Sequence, residues 1–232
     1  MVIRQRAIQA EDKQERHHAI LDAAERLLLH APDRVASVAE VADEAGLAKG
    51  TVYLYFPSKE ELLLAVHERN IDGFFNALIE RMQSDTPAAV DDVLVLTHRH
   101  MVEPPLFLPL AARCFGLMGQ AAPSQAIVAF KQRMAERLQR AGAGLETHFP
   151  ELMSGGGIAL LRYSYALILG LWQMSPAAHG HDMTSPLAKG ERLPPVFNYS
   201  YPDELDRALR ALWTGMVGPP RAPATATIAV SA

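Results

Sequence analysis

The sequence predicts an all-α protein. Two observations carry the fold class. No window alternates polar and apolar residues with β-branched enrichment, the pattern a half-buried strand needs. Apolar residues recur instead at helical spacing in nearly every proline-free window. The 16 prolines of the 232 residues mark the breaks, because proline removes a backbone donor and clashes inside a helix.

Composition sets the class. Hydrophobic residues make up 49%, charged residues 21%, and the net charge is −4, the balance of an ordinary globular protein with a real core. One cysteine, Cys114, excludes a disulfide framework and a cysteine-based zinc finger. No apolar run follows the basic residues near Met1, so no secretory signal is expected. The most apolar stretch, Ile158 to Met174, is interrupted by Arg162. No membrane span is expected, and a cytoplasmic location follows.

In chain order, residues 1–15 read as a flexible arm, 16–62 as the helix-turn-helix domain, 63–218 as a larger helical domain, and 219–232 as a disordered tail. Ile20, Ala23, Ala24, Leu27 and Leu28 form the buried stripe of a first helix. Ser37 with Glu40 is a capping box that starts a second helix at Val38. Gly46 ends that helix within about two turns, where a left-handed backbone suits glycine. A third short helix runs from near Ala48 to Tyr55. Phe56-Pro57-Ser58 breaks it, and Ser58 with Glu61 caps a long fourth helix. Residues 88–102 and 105–119 give two shorter helices, the latter with Pro109 in its first turns. Residues 123–141 form another, with Pro123 in the first turn and Gly142 able to stop it. Roughly Gly156 to Met174 reads as a helix apolar on most sides and therefore buried, with the Ser154-Gly-Gly-Gly157 stretch as the loop before it. Residues 175–202 read as a long loop. The last helix carries Leu205, Ala208, Leu209, Leu212, Trp213 and Met216 at helical period, and Gly218-Pro219 ends it.

The second and third helices with their glycine turn describe a helix-turn-helix. Between Ala45 and Lys59 the only charged residues are Lys49 and Lys59, although residues 1–70 sum to −3. A positive reading strip therefore sits on an acidic domain. Lys49 and Thr51 lie at the helix end that meets base edges in a major groove. Thr51 can bond a base or phosphate and touch a thymine methyl. Gly50 permits close backbone approach, and the hydroxyls of Tyr53 and Tyr55 can reach phosphates. Lys59 lies beside the first amides of the fourth helix, which favour an anion.

The stretch from Ser37 through Leu64 resembles the DNA-binding signature of the tetracycline-repressor (TetR) family of bacterial regulators, and Ile20 to Leu28 resembles that family's first helix. One departure is His30-Ala-Pro-Asp33, where the family usually has a glycine-containing turn. The resemblance implies an all-helical homodimer that binds a double-stranded operator DNA through the N-terminal three-helix domain, with residues 63–218 as the effector-binding and dimerisation domain for a small-molecule effector. By position it assigns DNA contacts to Thr51, Tyr53, Tyr55 and Lys59, with Lys49 and Gly50 at the reading end and Ser37 capping beside a phosphate.

Phe115, Met118, Phe130, Met134, Tyr163, Tyr165 and Trp172 are candidate lining for an effector pocket, with plain core packing as the alternative. Few charges punctuate these helices, so an apolar or aromatic effector is expected. Leu169, Leu205, Leu209, Leu212 and Trp213, on the last two helices, are dimer-interface candidates by family position. His98 and His100 lie two apart, on different sides of a helix. No metal, cofactor or catalytic constellation is expected, and Ser154–Gly157 lacks the lysine and strand of a phosphate-binding loop. The expected function is a ligand-responsive regulator, most simply a repressor released by its effector. A DNA-binding dimer that is constitutive or controlled by a protein partner is the alternative.

Overall fold

A computed structural model describes residues 2–31, 34–118, 124–175 and 199–218, the side chains of 2–11 and 118 aside. The described residues form helices α1 (Val2–His30), α2 (Val38–Ala45), α3 (Lys49–Tyr55), α4 (Lys59–Met82), α5 (Val90–Thr97), α6 (Phe107–Met118), α7 (Gln125–His148), α8 (Gly156–Met174) and α9 (Tyr201–Val217). A π turn over His98–Val102 extends α5. Among the described residues there is no strand, and no helix is long and apolar enough to cross a membrane. The expected tail, the body of the loop before α9 and Pro123 lie outside the described residues.

Caps fix the N-terminal elements. Ser37 Oγ accepts from the Glu40 amide at 3.3 Å, and the Glu40 carboxylate accepts from the Ser37 amide at 2.8 Å. A hydrogen bond from Arg34, with those of Ser37, holds the Glu40 carboxyl down at about 2. Gly46 has φ +66°, and a Cβ there would meet nothing within 4 Å, so its requirement is conformational. Ser58 Oγ accepts from the Glu61 amide at 3.1 Å. Only that half of the second expected capping box is formed.

Two apolar cores result, and α4 belongs to both. Leu62, Leu63, Leu64 and Val66 pack with α1, α2, α3 and Phe56. Ile71, Phe74, Phe75, Leu78, Ile79 and Met82 pack with α5 to α9. The domain boundary expected at 62/63 therefore falls inside a continuous helix. The cores are also interleaved, because Leu106, Leu110, Cys114 and Ile127 complete the N-terminal one. Cys114 is fully buried, and burial pushes its thiol up to about 12.

Three expectations need correction. Residues 2–15 continue α1 instead of forming an arm, because no proline or glycine interrupts Met1 to Ala31. α7 starts later and ends later than expected. Ser124 caps it by accepting from the Ile127 amide at 3.3 Å, and the helix passes through Gly142 to His148. α8 begins at Gly156, as expected. The passage of α7 through Gly142 and the glycine start of α8 share one cause. A Cβ on Gly157 would lie 2.2 Å from the Gly142 carbonyl oxygen, so α7 and α8 cross backbone on backbone. The Glu146 carboxylate then accepts from the Gly157 amide at 3.0 Å, satisfying an open donor of α8.

Gly157→Ala is expected to cost at least ~2 kcal/mol by overpacking. Gly170→Ala, at a position where a Cβ meets nothing within 4 Å, is expected to gain about 0.5–1 kcal/mol from helix propensity. Urea denaturation of both variants tests the crossing; a neutral Gly157→Ala would count against it.

Candidate nucleic-acid interface and interior cavity

α3 is held by its buried side. Val52 is fully buried and Phe56 nearly so, while the opposite face is open. Lys49, Gly50, Tyr53 and Leu54 are exposed, and Thr51 and Tyr55 are half-buried. The Lys49 ammonium lies 5.9 Å from the centroid of the Tyr53 ring, a cation–π distance that braces both side chains on one face. A Cβ on Gly50 would meet nothing, so the space in front of the helix is free. Ser37 is exposed at the start of α2. Lys59 is exposed at the start of α4, 3.9 Å from Glu60. The expected reading residues thus lie open on α3 and at the starts of α2 and α4, with Tyr55 as the partial exception. Its ring packs on the N-terminal core, 6.3 Å from that of His17. Leu54, 84% exposed, belongs to this face and escaped sequence reasoning. A leucine at that register reads as a core residue until the helix's orientation is known.

α4 links this face to the other domain, and ion pairs grip it on two sides. Arg69 pairs with Asp22 at 2.6 Å and with Glu25 on α1, and Asn70 donates to Glu25 at 2.6 Å. Glu68 accepts from Arg133 at 2.6 Å and Arg137 at 2.9 Å, both on α7. Asp72 pairs with Arg137 at 2.6 Å.

The C-terminal core is not filled. A cavity of about 420 Å³ lies among α4, α5, the π turn, α6, α7, α8 and α9, within the range of small-molecule sites. Of the expected lining residues, Phe115, Phe130, Met134 and Tyr165 border it. The Met118 side chain lies outside the described residues. Tyr163 is 51% exposed and Trp172 packs on the core; neither lines the cavity. Sequence reasoning missed the α4 wall of His67, Ile71, Phe74 and Phe75, because an apolar stripe on a long helix looks the same beside a cavity as inside a core.

The dimer candidates are corrected as well. Leu205 and Leu209 are fully buried, and Leu169 and Trp213 nearly so. Leu169 and Trp213 line the cavity, and Leu212 packs partly buried against the core. Helical period marked the correct stripe, but the protomer itself buries it. The exposed side of α8 carries Tyr163, Ala166 and Met174. His98 faces Asp206 at 3.9 Å, whereas His100 lies against Gly73, so the two histidines diverge.

His67 is 1% exposed and stands between the Phe107 and Phe130 rings. Burial lowers its pKa from the ordinary 6.5 to about 4, against a weaker upward pull from Glu68. A depressed histidine pKa means that below pH 6.5 the unfolded chain takes a proton the folded one refuses. Stability should therefore fall as pH drops from about 6.5 towards 4. His67→Phe should flatten that decline, as read from urea midpoints at pH 7, 6, 5 and 4.5. Parallel curves would show that His67 is not held neutral.

Comparison with known proteins agrees with this architecture. Residues 20–66 match the model of bacterial regulatory proteins of the tetR family, and residues 68–220 match the tetracyclin repressor-like C-terminal domain. The HTH-type transcriptional regulator EthR of Mycolicibacterium smegmatis is 37% identical over 79 residues, 33% of this chain and 36% of that one. The fatty acid metabolism regulator protein of Bacillus subtilis is 34% identical over 73 residues, 32% of this chain and 36% of that one. The chain spans about a third of the length of these curated relatives. Among solved structures, a TetR-family transcriptional regulator from Streptomyces coelicolor shares the fold with a TM-score of 0.54 at 17% identity, covering 87% of this chain and 99% of that one. SmeT, the repressor of the Stenotrophomonas maltophilia multidrug efflux pump SmeDEF, does so with a TM-score of 0.52 at 20% identity, covering 89% and 97%. It is also solved as a complex with triclosan, which matches at a TM-score of 0.51 and 19% identity over 90% and 99%. With one family model matched across its first helices and another across most of the remainder, the chain belongs to the TetR family of bacterial regulatory proteins.

Proposed function

We propose that this chain is a cytoplasmic, ligand-responsive transcriptional repressor that binds a palindromic operator as a homodimer and is released by a small apolar or aromatic effector. The observation that carries the reading is the shared helix α4. Its N-terminus holds Lys59 beside α3, and two turns further on His67, Ile71, Phe74 and Phe75 wall the cavity. A ligand that shifts this wall tilts a rod anchored in the DNA-reading domain. DNA and effector then bias one equilibrium in opposite directions. The open cavity favours this reading over a constitutive regulator, which needs only a filled core. SmeT, a repressor solved with triclosan, supports it by analogy.

Two copies would meet through the exposed side of α8 and its neighbour α9, where Tyr163 and Met174 are 51% and 72% exposed. Their reading helices would enter successive major grooves about 35 Å apart. Ser37, Lys49, Gly50, Thr51, Tyr53, Tyr55 and Lys59 remain the assigned DNA contacts, with Leu54 added on the same face.

Selection of binding sites from random duplexes should return a two-fold symmetric sequence; an asymmetric one would sink the dimer reading. On that operator, Lys59→Ala should weaken binding on all sequences and reduce the slope of log K against log salt by about one. An unchanged slope in a mobility-shift titration would remove Lys59 from the phosphate contacts. Thr51→Ala should cost more on operator than on random DNA, on the order of 1–3 kcal/mol of discrimination. Equal losses on both would deny it a role in base reading.

A further inference from the structure

Most polar groups on the cavity wall are satisfied by the protein itself. Thr97 Oγ1 donates to the Val93 carbonyl at 2.8 Å. Ser164 Oγ donates to the Leu160 carbonyl at 2.8 Å and accepts from Trp213 Nε1 at 2.9 Å. His67 differs. It lines the cavity, it is 1% exposed, and its Nδ1 has no hydrogen-bond partner in the protein. Its Nε2 lies 3.4 Å from the Tyr165 hydroxyl. Buried polar atoms are nearly always paired, so an unpaired one on a cavity wall points to a partner that enters the cavity.

The pairing with Tyr165 decides which way the hydrogen bond runs. A neutral imidazole has one donor and one acceptor nitrogen. If the Tyr165 hydroxyl donates to Nε2, both groups are used and only the Nδ1–H is left over. If Nε2–H donates instead, the phenol proton and a bare Nδ1 are both left over. The first arrangement leaves the fewest buried polar groups unmet, so Nδ1 carries the hydrogen. The charge of the wall limits the ligand further. Among the described lining residues, Arg162, exposed at the surface, is the one lysine, arginine or carboxylate. The rest are apolar or neutral, so a charged head group would have no counter-ion beside His67.

Resting on the effector-cavity reading, we propose that His67 is the polar anchor of the cavity, its Nδ1–H donating to a carbonyl-type acceptor on an uncharged and otherwise apolar ligand. Benzophenone and 1,1-diphenylethylene test this on the full chain, since they differ chiefly by C=O against C=CH2 in nearly the same shape. In ligand-observed NMR titrations the wild-type protein should bind the ketone about tenfold more tightly, the worth of one added hydrogen bond in a dry site. His67→Phe should bind both probes equally. Tyr165→Phe keeps the imidazole but releases its tautomer, so it should shrink the preference to a few-fold. Nitrogen-15 shifts of His67 in the unliganded wild-type protein should show the proton on Nδ1.

Equal affinity of the wild-type protein for both probes overturns the anchor and leaves the cavity reading standing. So does a ketone preference that survives His67→Phe. A proton found on Nε2 overturns the donor assignment without any variant. Binding of neither probe overturns the apolar effector cavity itself, and the anchor with it.

Discussion

Residues 59–82 form one uninterrupted helix whose two halves are buried in different cores. With 24 residues at about 1.5 Å of rise each, it is a rod of roughly 36 Å. Its N-terminal half closes the three-helix domain, and its C-terminal half supplies a wall of the cavity. Close packing makes such a rod stiff, because neither core can absorb a shift of its own segment without repacking. The ion pairs to Asp22 and Glu25 on one side, and to Arg133 and Arg137 on the other, oppose rotation about its axis. They are partly exposed, so they fix orientation more than they add stability. What happens at the cavity and what happens at α3 are thereby one mechanical problem.

Charge distribution complements this arrangement. A chain with a net charge of −4 has little long-range attraction for a polyanion. The strip from Ala45 to Lys59, free of acids, must act through directed contacts at short range. Binding built this way depends on fit, and fit depends on the spacing that α4 sets.

Much of the N-terminal domain was legible in the sequence because its signals are local. Ser37 with Glu40, Gly46, and Ser58 with Glu61 each act within four residues, and the structure forms two of these caps and the turn between them. The C-terminal domain was legible as helices but not as surfaces. Gly142 reads as a helix stop until Gly157, fifteen positions away, is seen pressed against its carbonyl. Leu205, Leu209 and Trp213 were the correct stripe assigned to the wrong neighbour, since period alone does not say what covers an apolar face. The α4 wall and the unpaired nitrogen of His67 could not be read at all, because a void is a property of the packing and no residue type encodes it.

The brevity of α3 has its own consequence. Seven residues, with no side-chain cap at Ala48, cannot pay the nucleation penalty of a helix alone. Its shape is lent by Val52 and Phe56 in the N-terminal core, and that core includes Leu106, Leu110, Cys114 and Ile127 from beyond α4. The proposed reading helix therefore has no independent stability. Its local unfolding is tied to the cooperative unit that contains α6 and the start of α7. Loosening those distant helices would blur sequence discrimination well before the protein as a whole came apart.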